Sequence, residues 1–286
     1  MKIGILGFGC VGKAVSQLSR VFEVAIYDPN ISNYCGTANM EAVYAADFIF
    51  CCVPTHAAND GRLDISIVES LVDAFVAKTC AGIFVIKSTV TPGTTARLVQ
   101  HYGVSRILSN PEFLSEQTAD LDFNNPVDVV IGGAPSVAAA LRGCLDRFYR
   151  YGEQSSRYTL CSTTEAELLK SARNAFYATK ISFMNELASV CSKLGVDYQS
   201  FRQHLTMSGE HPWLNGQHTA VPGPDGLYGY GGKCLSKDAR DLHELSVSLG
   251  SPMRMIETSL AVNTLHRAIK PSSDQPANRT AVNTCP

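Results

Sequence analysis

Short apolar runs alternate with amphipathic stretches over the first half of the chain. The runs KIGILGF, EVAIYD, FIFCCVP, IFVIKST and VDVVIGG are typical of β-strands that are buried on both faces. Between them, apolar residues at helical spacing predict helices over residues 11–19, 65–78, 94–101 and 136–149. Because strands that alternate with helices form parallel sheets, residues 1–160 predict a doubly wound α/β domain of the Rossmann type.

From residue 161 onwards the pattern is almost entirely helical. The stretch from Thr163 to Gly195 predicts one helix about 45 Å long, at 1.5 Å per residue. Thr164 and Glu167 fit a capping box at its start, and Gly195 fits its end. A helix of this length needs packing along its whole surface, and a partner subunit is one way to supply it.

Three shorter helices are predicted in the rest of the chain, over residues 197–207, 236–249 and 252–269. We therefore assign residues 161–270 to an all-helical second domain. The polar, proline-bearing stretch 271–286 is typical of a disordered tail.

Composition narrows the class of protein. The chain has 286 residues, a net charge of −2 and 45% hydrophobic residues, so nothing global indicates a nucleic acid or an anionic membrane as partner. No apolar run is long enough to span a bilayer, and the N-terminus has no signal-peptide pattern. The 10 cysteines include no C-x-x-C pair, which argues against structural zinc. We expect a cytoplasmic protein with reduced thiols and no metal.

The stretch GFGCVG at residues 7–12 has the spacing G-x-G-x-x-G and lies between a predicted strand and a predicted helix. The first glycine permits a tight turn, the second lets a diphosphate approach the backbone, and the third lets helix and strand pack closely. Asp28 ends the next predicted strand, where a carboxylate can bond a ribose 2′-hydroxyl, and no arginine follows it directly. NAD is therefore favoured over NADP. The residues expected to line this site are Gly7, Gly9, Cys10, Val11, Gly12 and Asp28.

Polar residues also gather where other elements end or begin. Residues 87–93 and 109–116 follow strands of the predicted sheet, where doubly wound folds bind ligands, although ordinary turn chemistry produces the same pattern. Lys170 and Asn174 lie one helical turn apart and share a face. A ligand site and a solvated face are equally compatible with that spacing.

The stretch GYGGKCLSKD at residues 229–238 places Cys234 just before a predicted helix that Ser236 can cap. A helix N-terminus and nearby ammonium groups, here Lys233 and Lys237, lower the pKa of a thiol. Asp238 falls in the first turn, where it can face the thiol. The alternative is a buried cysteine at a helix start.

Together these stretches resemble the UDP-glucose/GDP-mannose dehydrogenase family of nucleotide-sugar dehydrogenases. The resemblance is carried in order by GFGCVG, CVPT, STVTPGT, SNPEFLSE, KSARNAF and GYGGKCLSKD, and it extends from residue 1 to about residue 270. It implies a four-electron oxidation of a sugar primary alcohol to a carboxylate with two NAD⁺, with UDP-glucose to UDP-glucuronate as the expected reaction. It also implies a homodimer through the helical domain.

The resemblance assigns roles to particular residues. Cys234 aligns with the family's catalytic nucleophile, Lys170, Asn174 and Asp238 with groups that assist alcohol deprotonation, and Glu112 and Thr89 with groups that direct hydrolysis of a thioester. Further cofactor contacts are implied for Val53, Pro54, Thr55, Ser88, Thr89 and Glu116. Substrate contacts are implied for Glu112, Phe113, Leu114, Lys170, Asn174, Tyr230 and Gly231.

The sequence departs from the family's pattern in three ways. Family members carry a third, nucleotide-binding α/β domain, and we expect this chain to be a short form without it. The family's arginine is missing from the loop before the glycine motif, and Ser236 replaces the family's proline. Two alternatives follow: a two-electron dehydrogenase of the β-hydroxyacid and 6-phosphogluconate type, which needs neither Glu112 nor Cys234, and a non-catalytic NAD-binding subunit.

Overall fold

A computed structural model describes residues 1–151, 157–206, 215–232 and 234–269 of the protein. The chain divides into two compact units, Met1–Ser171 and Ala172–Pro286, and the division falls within one long helix. The tail predicted over residues 271–286 and the side chain of Lys233 lie outside the described residues.

The first unit is built on a seven-stranded sheet with the order β2-β1-β3-β4-β5-β6-β7. Its strands are β1 (Lys2–Leu6), β2 (Glu23–Tyr27), β3 (Phe48–Cys51), β4 (Ile83–Ile86), β5 (Ile107–Ser109), β6 (Asp128–Gly132) and β7 (Arg157–Cys161). Strands β1 to β4 are parallel, as predicted, and β5, which the sequence pattern did not predict, continues the parallel arrangement. Because β2 and β3 lie on opposite sides of β1, the strand order reverses there, and the carboxyl ends of β1 and β3 border the crevice where doubly wound folds bind ligands.

The sheet is not parallel throughout. Strand β6 pairs antiparallel with β5 through Gly132 and Ser109, and β7 runs parallel to β6. The connection from β5 to β6 contains only the six-residue helix α5 (Ala119–Asn124). This helix spans about 9 Å, less than the ~16 Å length of a five-residue strand, so the chain enters β6 from the end at which it left β5.

Helices cover both faces of the sheet, which confirms the doubly wound architecture. The remaining helices of this unit are α1 (Cys10–Val15), α2 (Thr37–Tyr44), α3 (Ser66–Ala77), α4 (Thr94–Tyr102) and α6 (Pro135–Tyr151). Phe48 and Phe50 of β3 face the core that α1 and α6 cover, whereas Ile49 and Cys51 face the core that α2, α3 and α4 cover. This alternation with a period of two is why β3 is apolar at every position.

All secondary-structure elements in the described part of the second unit are helices. Helix α7 (Thr163–Lys193) has 31 residues, begins in the first unit and is followed by α8 (Tyr198–Thr206), α9 (Leu235–Ser248) and α10 (Arg254–Ala268). Helix α7 ends before Gly195, which has a φ of +71° and fits the predicted stop. In the described part of the chain, no helix is both long and apolar enough to cross a membrane.

The start of α7 differs from the predicted capping box. The hydroxyl of Ser162 accepts the N–H of Glu165 at 3.1 Å, so the cap lies two residues before Thr164. The carboxylate of Glu167 instead accepts the N–H groups of Gly93 (2.7 Å) and Thr95 (2.9 Å) at the start of α4. A carboxylate is favourable at a helix N-terminus, so Glu167 caps a neighbouring helix instead of its own.

Candidate active site

The glycine loop between β1 and α1 has the geometry of a dinucleotide site. Gly7 has a φ of +88°, and a Cβ on Gly12 would lie 2.0 Å from the carbonyl oxygen of Gly7, so both positions require glycine. Apart from Gly9 itself and its two neighbours in the chain, no atom of the described residues lies within 4 Å of the Cβ position of Gly9. The loop is therefore closed on the protein side and open at Gly9, which is where a diphosphate can approach the backbone. Cys10 is exposed at the start of α1, beside Val11.

The carboxylate of Asp28 lies beside this loop at the end of β2. One of its oxygens accepts the N–H of Phe8 at 2.8 Å, and the other accepts the N–H of Asn30 at 2.9 Å. Each carboxylate oxygen has a second lone pair, so Asp28 can still accept hydrogen bonds from ribose hydroxyls. These residues fit NAD, and the Asp28 carboxylate disfavours a 2′-phosphate.

The predicted cofactor residues after β3 and β4 are tied together. The hydroxyl of Ser88 donates to the carbonyl of Val53 at 2.7 Å, and the hydroxyl of Thr55 donates to the carbonyl of Thr89 at 2.7 Å. Pro54 between them is exposed. Side chains from each loop thus hold the backbone of the other, which fixes both loops at the carboxyl edge of the sheet.

Glu112 and Lys170 form a nearly buried ion pair in the first unit. Their Oε1 and Nζ atoms lie 3.3 Å apart, and the side chains are 11% and 6% exposed. The other carboxylate oxygen of Glu112 accepts the N–H of Leu114 at 2.6 Å. Lys170 Nζ also lies 5.7 Å from the ring centre of Phe113. A carboxylate and an ammonium shielded from water in this way are suited to proton transfer.

Lys87 and Asn110 lie next to this pair and were not assigned a role from the sequence. The buried Nζ of Lys87 donates to the carbonyl (3.2 Å) and to the side-chain oxygen (3.0 Å) of Asn110, two residues before Glu112. Burial lowers the pKa of Lys87, whereas the charges of Cys52 and Glu112 oppose that shift. A lysine that ends an otherwise apolar strand was the available signal in the sequence.

Cys234, Asp238 and Asn174 come together in the second unit. Helix α9 begins at Leu235 with the exposed Cys234 as its N-cap, so the predicted cap at Ser236 is wrong. The carbonyl of Cys234 accepts the N–H of Asp238 at 3.0 Å. The Asp238 carboxylate is buried and accepts bonds from Asn174 Nδ2 (2.5 Å) and Lys237 Nζ (2.7 Å). A thiol at a helix N-terminus, one turn from an oriented carboxylate, suits a nucleophile.

Two asparagines hold the glycine segment that leads to Cys234. The N–H of Gly229 donates to Asn185 Oδ1 of α7 at 2.8 Å. The amide of Asn263 on α10 accepts the N–H of Tyr230 at 2.7 Å and donates to its carbonyl at 3.0 Å. Neither asparagine was found from the sequence, although Asn185 lies on the same face of α7 as Asn174, three turns later.

The structure places the other predicted residues as follows. The ring of Tyr230 is buried in the apolar core of the second unit, and Gly231 lies against the guanidinium group of Arg267. Glu116 is exposed in the loop after β5. Glu112, Phe113, Leu114 and Lys170 belong to the first unit, whereas Asn174, Cys234 and Asp238 belong to the second. The described residues contain no cluster of His, Cys, Asp and Glu side chains that could hold a metal ion.

Two sequence models of one family match the chain. The NAD binding domain of the UDP-glucose/GDP-mannose dehydrogenase family matches residues 26–151, and the central domain of the same family matches residues 164–265. The "UDP-glucose 6-dehydrogenase" of Pseudomonas aeruginosa is 34% identical over 258 residues, which cover 82% of this chain. The chain spans about half of that relative's length, 54%.

Solved structures of other proteins share the fold of this chain. A UDP-glucose dehydrogenase from the hyperthermophilic archaeon Pyrobaculum islandicum superposes with a TM-score of 0.77 at 28% identity, over 92% of this chain and 68% of that one. The 3-hydroxyisobutyrate dehydrogenase of Mycobacterium tuberculosis superposes with a TM-score of 0.73 over 93% of this chain and 94% of that one. At 18% identity, the second likeness shows a shared fold and nothing further.

Proposed function

Because the chain belongs to the UDP-glucose/GDP-mannose dehydrogenase family, we propose that it oxidises the primary alcohol of a nucleotide sugar to a carboxylate with two equivalents of NAD⁺. The observation that carries the proposal is the exposed Cys234 thiol at the N-terminus of α9, one turn before the buried Asp238. A two-electron alcohol dehydrogenase has no use for a thiol at this position.

The glycine loop and Asp28 bind the cofactor in this proposal. The open space at Gly9 admits the diphosphate, and the Asp28 carboxylate accepts a ribose hydroxyl. NAD⁺, when bound, accepts the hydride that each oxidation step releases, one cofactor molecule for each step. The rest of the cofactor site is formed by two loops at the carboxyl edge of the sheet, Val53 to Thr55 and Ser88 to Thr89.

Lys170 and Asn174 assist the first oxidation. They lie one turn apart on α7, so they present an ammonium group and an amide on one face of the helix. We assign them to stabilise the oxygen of the sugar alcohol as its proton leaves, together with a water molecule near Asp238. The pairing of Asn174 with Asp238 fixes the amide orientation for this role.

Cys234 then retains the aldehyde. Its sulfur adds to the aldehyde carbon while the thiol proton passes to the oxygen, which gives a thiohemiacetal. Loss of the second hydride from that carbon, and of the hydroxyl proton, gives a thioester. Glu112 removes a proton from water, with Thr89 helping to position it, and the attack of this water breaks the C–S bond. The products are the carboxylate and the regenerated thiol, so no aldehyde is released.

A two-electron oxidation is the competing candidate, and the spacing of Lys170 and Asn174 one turn apart on α7 is the observation behind it. Lysine and asparagine on one helix serve that chemistry as well. The two reactions differ in their dependence on Cys234, because only the four-electron reaction forms a bond to sulfur.

Replacement of Cys234 by serine tests the proposal. We expect Cys234→Ser to lose acid formation by at least about 100-fold, because a serine hydroxyl is a far weaker nucleophile without a base, while NAD⁺ still binds. The matched control is Cys35→Ser, an exposed cysteine far from the proposed chemistry in sequence. Acid formation by Cys234→Ser at the wild-type rate would rule out the thioester route.

The substrate that we propose first is UDP-glucose, with UDP-glucuronate as product. The chain spans only part of its relatives, so a screen of UDP- and GDP-sugars and of simple sugar phosphates is the direct way to identify the substrate. We place the reaction in the cytoplasm, where thiols such as Cys234 stay reduced.

We also propose a homodimer that forms through α7. Phe176, Phe183 and Val190 are spaced seven residues apart on this helix and are 59%, 59% and 51% exposed. Apolar residues at this spacing form one stripe along a helix. A second copy of the same helix offers a matching stripe, and burial of the two stripes against each other removes both from water.

A further inference from the structure

Hydrogen bonds from two helices fix the backbone four and five residues before Cys234. Asn185 comes from α7 and Asn263 from α10, and both side chains are buried, with 4% and 9% exposure. Together they take up the N–H of Gly229 and both backbone polar groups of Tyr230. A buried backbone donor or acceptor without a partner costs about 1–3 kcal/mol, so this segment depends on the two amides.

The contacts around this segment also explain why Gly229 and Gly231 are glycines. A Cβ at Gly229 would lie 2.4 Å from Asn263 Oδ1, and Gly229 has a φ of +73°. A Cβ at Gly231 would lie 2.6 Å from Nη2 of Arg267, whose Nη1 is paired with Asp225 at 2.7 Å. At these two positions the missing side chains make room for the protein's own amide and guanidinium groups.

The two helices that supply the asparagines are themselves joined. The hydroxyl groups of Ser182 on α7 and Ser259 on α10 lie 3.0 Å apart and are buried. Ser182 lies one turn before Asn185, and Ser259 one turn before Asn263. The two amides are therefore held at a fixed separation, and α9, which begins at Cys234, packs against α10.

We infer that Asn185 and Asn263 are positioning residues that hold the backbone before Cys234 and so fix the place from which its thiol attacks. This inference rests on the proposed role of Cys234 as nucleophile. Neither asparagine touches the reacting atoms. They act by removing the freedom of a glycine-rich segment that would otherwise sample many conformations.

Matched variants separate the effect of losing the hydrogen bonds from the effect of changing the side-chain volume. Asn263→Leu removes both bonds to Tyr230 at similar size, and Asn185→Leu removes the acceptor for Gly229. Asn185→Asp keeps that acceptor oxygen, and its protonated carboxyl can donate to the carbonyl of Ile181 as Asn185 Nδ2 does at 2.8 Å, so it serves as the conservative variant. Thr264→Leu is the control, because Thr264 is exposed on α10 and its hydroxyl bonds only within its own helix.

We call the hydrogen bonds from Asn185 and Asn263 to Gly229 and Tyr230 the clamp. Hydrogen exchange measured by mass spectrometry tests the clamp independently of catalytic activity. In Asn263→Leu and Asn185→Leu we expect faster exchange in the peptide that contains Gly229 and Tyr230, with protection elsewhere in α7 and α10 retained. Asn185→Asp and Thr264→Leu should exchange as the wild type does. Unchanged exchange in both leucine variants would overturn the clamp, whatever reaction the protein catalyses.

Steady-state kinetics test the link to the thiol. A displaced nucleophile costs catalysis more than binding, so we expect kcat to fall about 10- to 100-fold in the leucine variants, with KM for NAD⁺ within about twofold of wild type. Asn185→Asp should recover most of the loss. Faster exchange with an unchanged kcat would overturn the positioning role. A wild-type protein that forms no acid from any nucleotide sugar would instead contradict the proposed function, and the exchange experiment would still decide on the clamp.

Discussion

Glu112 is held by both of its carboxylate oxygens. One pairs with the ammonium of Lys170, and the other accepts a backbone N–H two residues further along its own loop. Lys87 lies behind this loop and fixes it through Asn110. The ammonium of Lys170, 3.3 Å from Glu112, favours the negative charge that develops as water attacks an ester.

Replacement of Glu112 by glutamine should separate oxidation from hydrolysis. Glutamine keeps the size of the side chain and an oxygen for Lys170, but it cannot take a proton from water. We expect Glu112→Gln to release an initial burst of NADH and then to turn over about 100-fold more slowly, because general bases contribute roughly 10²–10⁴. Intact-mass spectrometry should find a substrate-derived adduct on Cys234.

The exposed Glu186 of α7 provides the matched control, and Glu186→Gln should keep wild-type turnover without an adduct. Wild-type turnover by Glu112→Gln would show that another group activates the water.

At the scale of residues, a short motif predicts local geometry well, while the roles of its residues in cofactor binding stay predictions. Gly7, Gly12 and Asp28 have the geometry that the G-x-G-x-x-G pattern predicts. Sequence reasoning missed Asn185 and Asn263, because an asparagine inside an amphipathic helix gives no local sign of which backbone groups it bonds. Such contacts join residues 33 to 44 positions apart, and only the fold brings them together.

At the scale of elements, Glu167 shows how a local pattern can mislead. Thr164 and Glu167 have capping-box spacing, yet the carboxylate caps α4, more than 70 residues earlier in the chain. Burial raises the pKa of Glu167, although the bonds from Thr95 and Gly93 oppose the shift. A group whose pKa is raised by folding binds its proton more tightly in the folded state than in the unfolded state.

This shift predicts a pH dependence of stability with a definite sign. As pH rises from the ordinary value of 4.5 through the raised pKa of Glu167, the free energy of unfolding of the wild type should fall relative to that of Glu167→Gln, which does not titrate. Urea unfolding of both proteins between pH 4.5 and 7 measures the difference. A wild type that gains stability on the variant over this interval would contradict the assignment.

The elements that the sequence missed are short or lie at an edge. Strand β5 has three residues, and α2 and α5 have eight and six, so the pattern repeats only about once or twice in each of them. Strand β7 lies at the edge of the sheet with Leu160 exposed, so it lacks the continuous apolar run of a central strand. The long helices were predicted from their helical periodicity, and the central strands from the continuous apolar runs that burial on both faces produces.

At the scale of the whole molecule, α7 contributes to both units and exposes large apolar side chains in the second. The stripe of Phe176, Phe183 and Val190 is unusual for a surface helix, since exposed phenylalanines at regular spacing indicate an interface. The length of this helix gave the first indication of a partner subunit.

If the proposed dimer forms through this stripe, a charge placed in the stripe should separate it. A buried phenylalanine contributes about 1.5–3 kcal/mol, and a C2 interface contains it twice, so Phe183→Asp should weaken dimerisation by at least about 100-fold. Light scattering at micromolar concentration should then give the monomer mass. Leu265→Asp on α10, which is also exposed, is the control and should remain dimeric. A dimer that persists in Phe183→Asp would place the interface elsewhere.

We propose that one thiol, that of Cys234, links two successive oxidations of one carbon atom. The most direct test is to count the NADH formed for each molecule of nucleotide sugar consumed, with the oxidation state of the product determined in the same reaction. We expect two NADH, a carboxylate and no free aldehyde, with UDP-glucose as the first substrate to try. One NADH with an aldehyde or ketone as the stable product would contradict it.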